Sequence, residues 1–323
     1  MVWCDRVRGV IHAPEKRFLY ARPDAPPTVR HPFVIGRLGC PLSAVAPQGR
    51  EATVHASSGR DTNSPDRGHS FGEPKIMQTS IYLQAALNGD RIHPAAPRTP
   101  TAIGEAARAA VDAGAQSVHV HAFDDAGRET LDGAACAKVL RAIRALCPET
   151  PISLTTSAAI VGDPRKRFSI VEAWEEMPDL VTGNQGESGI VELCELLLSR
   201  GVGIEAGLLS IDDARAFVLS GLAERCRRVL VEPLDADPDA AVRHAAEMED
   251  MVVSAGITLE QVHHGYGIAC WAVNRRGLDR GHGIRTGFED VTLLPDGKQA
   301  RDNADLVAAA ARLIRAHVRP SLL

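Results

Sequence analysis

Residues 117–158 read SVHVHAFDDAGRETLDGAACAKVLRAIRALCPETPISLTTSA. A β-branched run at 117–123 gives way to a turn, then to a segment of helical period at 133–146, then to a second β-branched run at 152–158. That is one strand–helix–strand unit, and the alternation continues on both sides of it. Strands are predicted at 80–87, 117–123, 152–158, 180–184, 203–209, 228–234, 259–264 and 284–289. Helices are predicted at 101–113, 133–146, 165–177, 189–200, 211–225, 238–255, 270–279 and 303–317. Pro164 marks a helix start and Gly201 a helix stop. Eight strands alternating with eight helices over residues 77–323, 247 positions, predict an α/β protein of the (β/α)8 barrel type. A doubly wound open sheet would carry a glycine-rich turn after its first strand, and Asn88-Gly89-Asp90-Arg91 is not one. The glycines of Gly201–Gly207 miss the dinucleotide-binding spacing and run into a strand.

Residues 1–76 differ in kind. They hold nine of the twenty prolines and carry eleven Lys/Arg against seven Asp/Glu, with no sustained period. Such a stretch buries too little apolar surface to offset its ordering entropy. It is expected to be an irregular or disordered extension, with the folded barrel proper beginning at Met77. The whole chain has a formal net charge of −5, which gives no basic field for nucleic acid or an anionic membrane. No apolar run approaches the ~18 residues that span a bilayer. Seven scattered cysteines without a CxxC pair argue for a reducing compartment, hence the cytoplasm.

In a barrel of this type the chemistry sits at the carboxyl ends of the strands. Nearly every predicted strand ends there in polar residues: Asn88, Asp90 and Arg91; His119, His121 and Asp124; Thr155, Thr156 and Ser157; Asn184 and Glu187; Glu205; Glu232 and Asp235; His263 and His264; Arg285, Glu289 and Asp290. The pair His119 and His121 is the strongest element. Side chains two apart on a strand share a face, and two neutral imidazoles so placed suit one zinc-like ion. Hydrogen-bonded core histidines are the alternative for an isolated pair. A catalytic zinc takes three protein ligands, and spacing alone leaves Glu289, Glu205, Glu232 or His263 as the third. Asp290, beside Glu289, is a candidate general base. Arg285, in phase with Glu289, suits a substrate carboxylate. Glycines around the last two strands leave room for a phosphorylated cofactor or for ordinary tight turns.

At these residues the chain resembles the β-keto acid cleavage enzyme family. The motifs are Ala86-Leu87-Asn88-Gly89, Val118-His119-Val120-His121-Ala122-Phe123-Asp124, Arg285-Thr286-Gly287-Phe288-Glu289-Asp290 and Asp302-Asn303-Ala304-Asp305-Leu306. The resemblance implies Zn2+ held by His119, His121 and Glu289, with Asp290 and Arg285 in catalysis, Glu205 as the strand 5 glutamate, and Thr155 where relatives often have serine. It implies condensation of a β-keto acid with acetyl-CoA to give acetoacetate and a new acyl-CoA, and a homo-oligomer, tetrameric in relatives. Asn88, Arg91, Thr156, Asn184, Glu232 and His263 are expected to line the substrate site. Asp90-Arg91 stands where many members have a glutamate shortly after the glycine, so the acyl group is left open.

Two other readings compete. A barrel hydrolase of the amidohydrolase kind also uses an HxH pair, but places it on its first strand and draws more histidines from strands 5 and 6. A non-catalytic zinc-storing barrel does not explain buried charges at Arg285, Glu205 and Asp290, which are costly without a function.

Overall fold

The protein, described by a computed structural model over residues 81–318, is built from eight parallel strands closed into a barrel. The expectations for residues 1–76, and for a start at Met77, lie outside the described residues. The first barrel strands are β1 (Leu83–Ala86), β2 (Ser117–Val120), β5 (Ile152–Thr155) and β6 (Leu180–Asn184). The barrel continues through β7 (Gly203–Leu208), β8 (Arg228–Val231), β9 (Gln261–His263) and β10 (Gly283–Thr286), which closes on β1. Two short strands, β3 (Ala122–Phe123) and β4 (Glu129–Thr130), pair antiparallel as a separate hairpin just after β2. The helices are α1 (Pro100–Asp112), α2 (Gly133–Leu146), α3 (Pro164–Glu172), α4 (Ile190–Ser199), α5 (Ile211–Leu219), α6 (Pro238–Ser254), α7 (Cys270–Asp279) and α8 (Asn303–Val318). The (β/α)8 barrel expected from the sequence is therefore what the chain forms.

Local chemistry sets the helix starts. Thr99, Asp132, Asp163, Ser210 and Asp237 each accept a backbone N–H of the first turn on their side chains, and Pro100, Pro164 and Pro238 follow three of them. The predicted helix at 165–177 stops short, at Glu172. There the Arg200 guanidinium collects the carbonyls of Val171, Glu172 and Trp174, satisfying groups that a longer helix would bond internally. The strands also end earlier than the side-chain pattern suggests. The run 117–123 leaves the barrel at His121, 152–158 ends at Thr155, and 284–289 ends at Thr286, leaving Glu289 and Asp290 on the turn that follows.

Alternation along the strands divides two environments. Val118, Val120, Ile152, Leu154, Ile204, Ala206, Val229, Val231 and Ile284 are buried in the hydrophobic core. The other phase fills the interior with polar groups. Gln84 on β1 donates to Glu205 on β7 at 2.9 Å, a bond between strands that are not neighbours and so cross the inside of the barrel. Five cysteines, Cys136, Cys147, Cys194, Cys226 and Cys270, are buried and unpaired among the described residues. No helix among the described residues is long and apolar enough to cross a membrane.

Gly287 is the tightest point of the closure between β10 and β1, since a Cβ there would lie 1.9 Å from the Ala86 carbonyl oxygen. Gly287→Ala is therefore expected to destabilise the protein by about 3 kcal/mol, because the obstacle is backbone and cannot rotate away. Denaturant unfolding checks this; a change within experimental error would contradict it.

Candidate metal and proton-transfer site

His119 ends the inward phase of β2, and its ring is held from behind. Ser153 on β5 donates its single hydroxyl proton to Glu205 at 2.5 Å, so it can only accept from His119 Nδ1, 3.1 Å away. Nδ1 therefore carries the proton and Nε2 keeps its lone pair. Burial drives the His119 pKa down to about 3, against the opposing charge of Glu289, so the ring is neutral.

His121 is fixed differently. Asn88 grips its backbone from both sides: the side-chain oxygen accepts from His121 N–H at 2.9 Å and the amide donates to His121 O at 3.1 Å. Its Nδ1 meets Glu129 Oε1 of the β3–β4 hairpin at 2.5 Å. Burial alone would depress the His121 pKa, but Glu289 and the bond to Glu129 outweigh it and raise it to about 9.

Glu289 faces both rings. Its Oε2 lies 3.5 Å from His119 Nε2 and its Oε1 lies 3.6 Å from His121 Nε2. Arg285 Nη2 holds the same carboxylate at 2.7 Å and Asp290 at 2.9 Å. Burial would raise the Glu289 pKa, yet Arg285 and the two histidines hold it well below the usual carboxylate range. Asp290 is held down likewise by Arg285 and His264. From the other side, Arg91 donates to the carbonyls of Glu289 (3.0 Å) and Asp290 (3.3 Å) while its guanidinium sits over the Tyr266 ring at 4.8 Å. Gly89, at φ +60°, comes so close that a Cβ would strike Glu289 Cγ at 2.6 Å.

These residues fit a divalent ion. One ligand atom from each of His119, His121 and Glu289 lies within 4.8 Å of the others, and the buried Glu289 Oε2 has no hydrogen-bond partner. Both imidazoles have their Nδ1 tied back to a hydroxyl or carboxylate, which is how ligating histidines are oriented. Two imidazole nitrogens, that of His121 freed once an ion takes the place of its proton, and one carboxylate oxygen are the donor set of a three-ligand zinc centre with an open position.

The other expected residues fall in several places. Thr155 closes β5 with its hydroxyl accepting from Ser157 N–H, and Thr156 straps β5 to β6 by donating to the Thr182 carbonyl at 2.9 Å. Asn184 donates to Glu187, which is paired with the buried Arg167 at 2.9 Å. Glu205, expected among the catalytic groups, is fully buried beneath His119 and reaches it only through Ser153 and Thr182. His263, expected to line the substrate site, faces the helical layer: it stacks on His282 at 4.6 Å, and its Cβ is met by a Cβ built on Gly277 of α7. Its neighbour His264 takes the inward phase instead, between Glu232 and Asp290. Sequence reasoning passed over Glu129 and Ser153, the two partners that orient the histidines. Only the Asp124-Asp125-Ala126-Gly127 turn, with Gly127 at φ +71°, hinted at the hairpin carrying Glu129.

A family described as beta-keto acid cleavage enzyme matches residues 80–322. Two curated relatives bear the name 3-keto-5-aminohexanoate cleavage enzyme. The protein from Fusobacterium nucleatum subsp. nucleatum is 27% identical over 267 residues, covering 74% of this chain and 93% of the relative. The protein from Acetoanaerobium sticklandii is 25% identical over 260 residues with the same coverage, 74% and 93%. Among solved structures, ObcA in ternary complex with a C4-CoA adduct and oxalate superposes with a TM-score of 0.58 at 16% identity, covering 70% of this chain and 65% of ObcA. Apo ObcA gives 0.55 at 16% identity, covering 68% and 61%. The chain thus spans under two thirds of ObcA's length, and at this identity the likeness is one of fold.

Two outcomes are expected of the histidine pair. Glu129→Gln should weaken zinc binding roughly 10–100-fold in a chelator competition, since it removes the charge behind His121. In metal-free protein, His121 has a folded pKa above its unfolded value of 6.5, so its contribution is complete below pH 6.5 and is lost as pH rises through about 9. That contribution is on the order of 3 kcal/mol, so the metal-free Tm should fall across this window and Glu129→Gln should flatten the fall. A Tm that rises from pH 6.5 to 9 would contradict the assignment.

Proposed function

The chain belongs to the β-keto acid cleavage enzyme family, and we propose that it condenses a β-keto acid with acetyl-CoA to release acetoacetate and a new acyl-CoA. The observation that carries this reading is the convergence of His119, His121 and Glu289 on one side of Arg285 with Asp290 on the other. A divalent zinc ion bound by the first three would supply Lewis-acid polarisation of the substrate's keto oxygen.

The protein's own groups account for the rest. Arg285 stays charged, because Asp290, Glu289 and Glu232 outweigh the burial that would discharge it. It can turn a donor to the substrate carboxylate, and in doing so it releases part of its hold on Asp290. Asp290 then takes a proton from the carbon between the two carbonyls. The resulting carbanion attacks the acetyl thioester, the C–S bond breaks, and the CoA thiolate leaves. That thiolate attacks the original keto carbon, the bond between this carbon and the former nucleophile breaks, and Asp290 returns its proton to acetoacetate. Oxygen charge that develops in both attacks is met by Arg285. Asn88 and Arg91 work at one remove, holding the backbones of His121 and of the Glu289–Asp290 turn. Glu205 acts through Ser153 on His119, as a positioning residue.

ObcA is described in complex with oxaloacetate, itself a β-keto acid, and with a C4-CoA adduct, so a barrel of this fold accommodates both substrate classes that the reading requires. A homo-oligomer working in the cytoplasm belongs to the same proposal.

A panel of β-keto acids with acetyl-CoA and zinc, scored for acetoacetate, tests the reaction. His119→Ala is expected to lose both bound zinc and turnover. Asp290→Asn is expected to keep zinc while kcat falls roughly 100-fold or more. Full zinc content in His119→Ala, or no acetoacetate from any member of the panel, overturns the reading.

A further inference from the structure

Two further clusters of histidine and carboxylate lie outside the three candidate metal ligands. Glu249, His263 and His282 sit behind β9, but Glu249 is already taken by Arg276 at 2.6 Å and Arg280 at 2.9 Å, which leaves it no charge to offer an ion. Glu232, His264 and Asp290 are another matter, because the His264 ring is fully buried with neither nitrogen hydrogen-bonded.

The arrangement around His264 is a chain rather than a chelate. Glu232 Oε2 lies 3.5 Å from Nε2, whereas Asp290 Oδ1 lies 3.6 Å from Nδ1. Asp290 is also paired with Arg285 at 2.9 Å, so its charge is already matched without an ion. Its position is fixed by the backbone: His264 N–H donates to the Val231 carbonyl at 3.0 Å, continuing the β8–β9 ladder one residue past its last strand residue. Glu232 is held the same way, donating to the Leu208 carbonyl at 2.9 Å. Asp290, ionised against Arg285, accepts hydrogen bonds and cannot donate, so Nδ1 must carry the proton that faces it. Glu232, 15% exposed, then meets Nε2 from the side nearer solvent.

We propose that His264 is a positioning residue for the reaction, its Nδ1–H fixing the Asp290 carboxylate, with Glu232 beside Nε2 on the far edge of the ring. The inference rests on the reading of Asp290 as the proton acceptor. Arg285 grips Asp290 along one edge, and a second donor at Oδ1 prevents the carboxylate from swinging with the guanidinium when Arg285 turns to substrate. The 3.6 Å separation closes to hydrogen-bond length as that happens. A carboxylate held from two directions keeps its free lone pair on the substrate carbon, which is the part an orienting neighbour plays for a catalytic base.

Two substitutions separate the arms of the ring. An asparagine at 264 keeps an N–H near the place of Nδ1, and a glutamine keeps one near the place of Nε2. His264→Gln is expected to lower kcat roughly 100-fold with KM and zinc content held, and His264→Asn to recover at least about tenfold of that loss. Equal kcat in the two variants, or a loss carried by KM or by zinc content, overturns the proposal. Should either variant fail to fold, 15N labelling of the histidines in the zinc-loaded wild-type protein reads the chain directly. A protonated Nδ1 at His264 is expected, and an unprotonated one overturns the chain. If the wild-type protein forms no acetoacetate, the reaction reading has failed, while the labelling result still decides whether the chain exists.

Discussion

The Glu289 carboxylate, pinned by Arg285 at 2.7 Å with two imidazoles opposite, is the contact on which the functional end of this barrel depends. An unpaired carboxylate there would be prohibitively costly to bury, and so would the guanidinium. Together they define where β10 must end and how the turn after it must lie. The rest is arranged to hold that turn: Gly287 lets it pass the β1 backbone, Gly89 leaves space for the Glu289 side chain, and Arg91 clamps its two carbonyls. Buried ion pairs of this sort contribute little net stability against an apolar alternative. Their presence in the mouth of a barrel is an argument for chemistry.

The fold was legible because period-2 and period-3.6 segments alternate eight times, and the barrel is the economical closure of that pattern. Strand ends were less legible. Thr156-Ser157 and Gly287-Phe288-Glu289 prolong the predicted strands after the hydrogen-bond ladder has stopped, and nothing in side-chain type reports where a ladder stops. The amidohydrolase-like alternative is not favoured by the barrel either, since the histidine pair belongs to the second barrel strand and its exit.

At the candidate site, sequence reasoning reached the residues that carry charge and missed those that aim them. His119, His121, Glu289, Arg285 and Asp290 announce themselves by type and spacing. Glu129 depends on a two-residue strand formed only by a turn, and Ser153 is one serine among many until the interior is closed around it. Glu205 was read as a group at the mouth because a sequence shows which face a strand residue takes but not its depth along the barrel axis. His263 and His264 illustrate the sharper limit. Adjacent residues on a strand take opposite faces, so an error of one position exchanges the barrel interior for the helical layer.

The two imidazoles are supported by unequal scaffolds. Behind His119 stands Glu205, locked among Gln84, Ser153 and Thr182 in the barrel's centre, where any replacement disturbs several strands at once. Behind His121 stands Glu129, on a small ribbon of two-residue strands outside the closed barrel sheet. Divergence among barrels of this design can therefore retune how tightly they retain an ion by redrawing that ribbon, at no expense to the staves, so that cofactor retention and architectural integrity are inherited as separate traits.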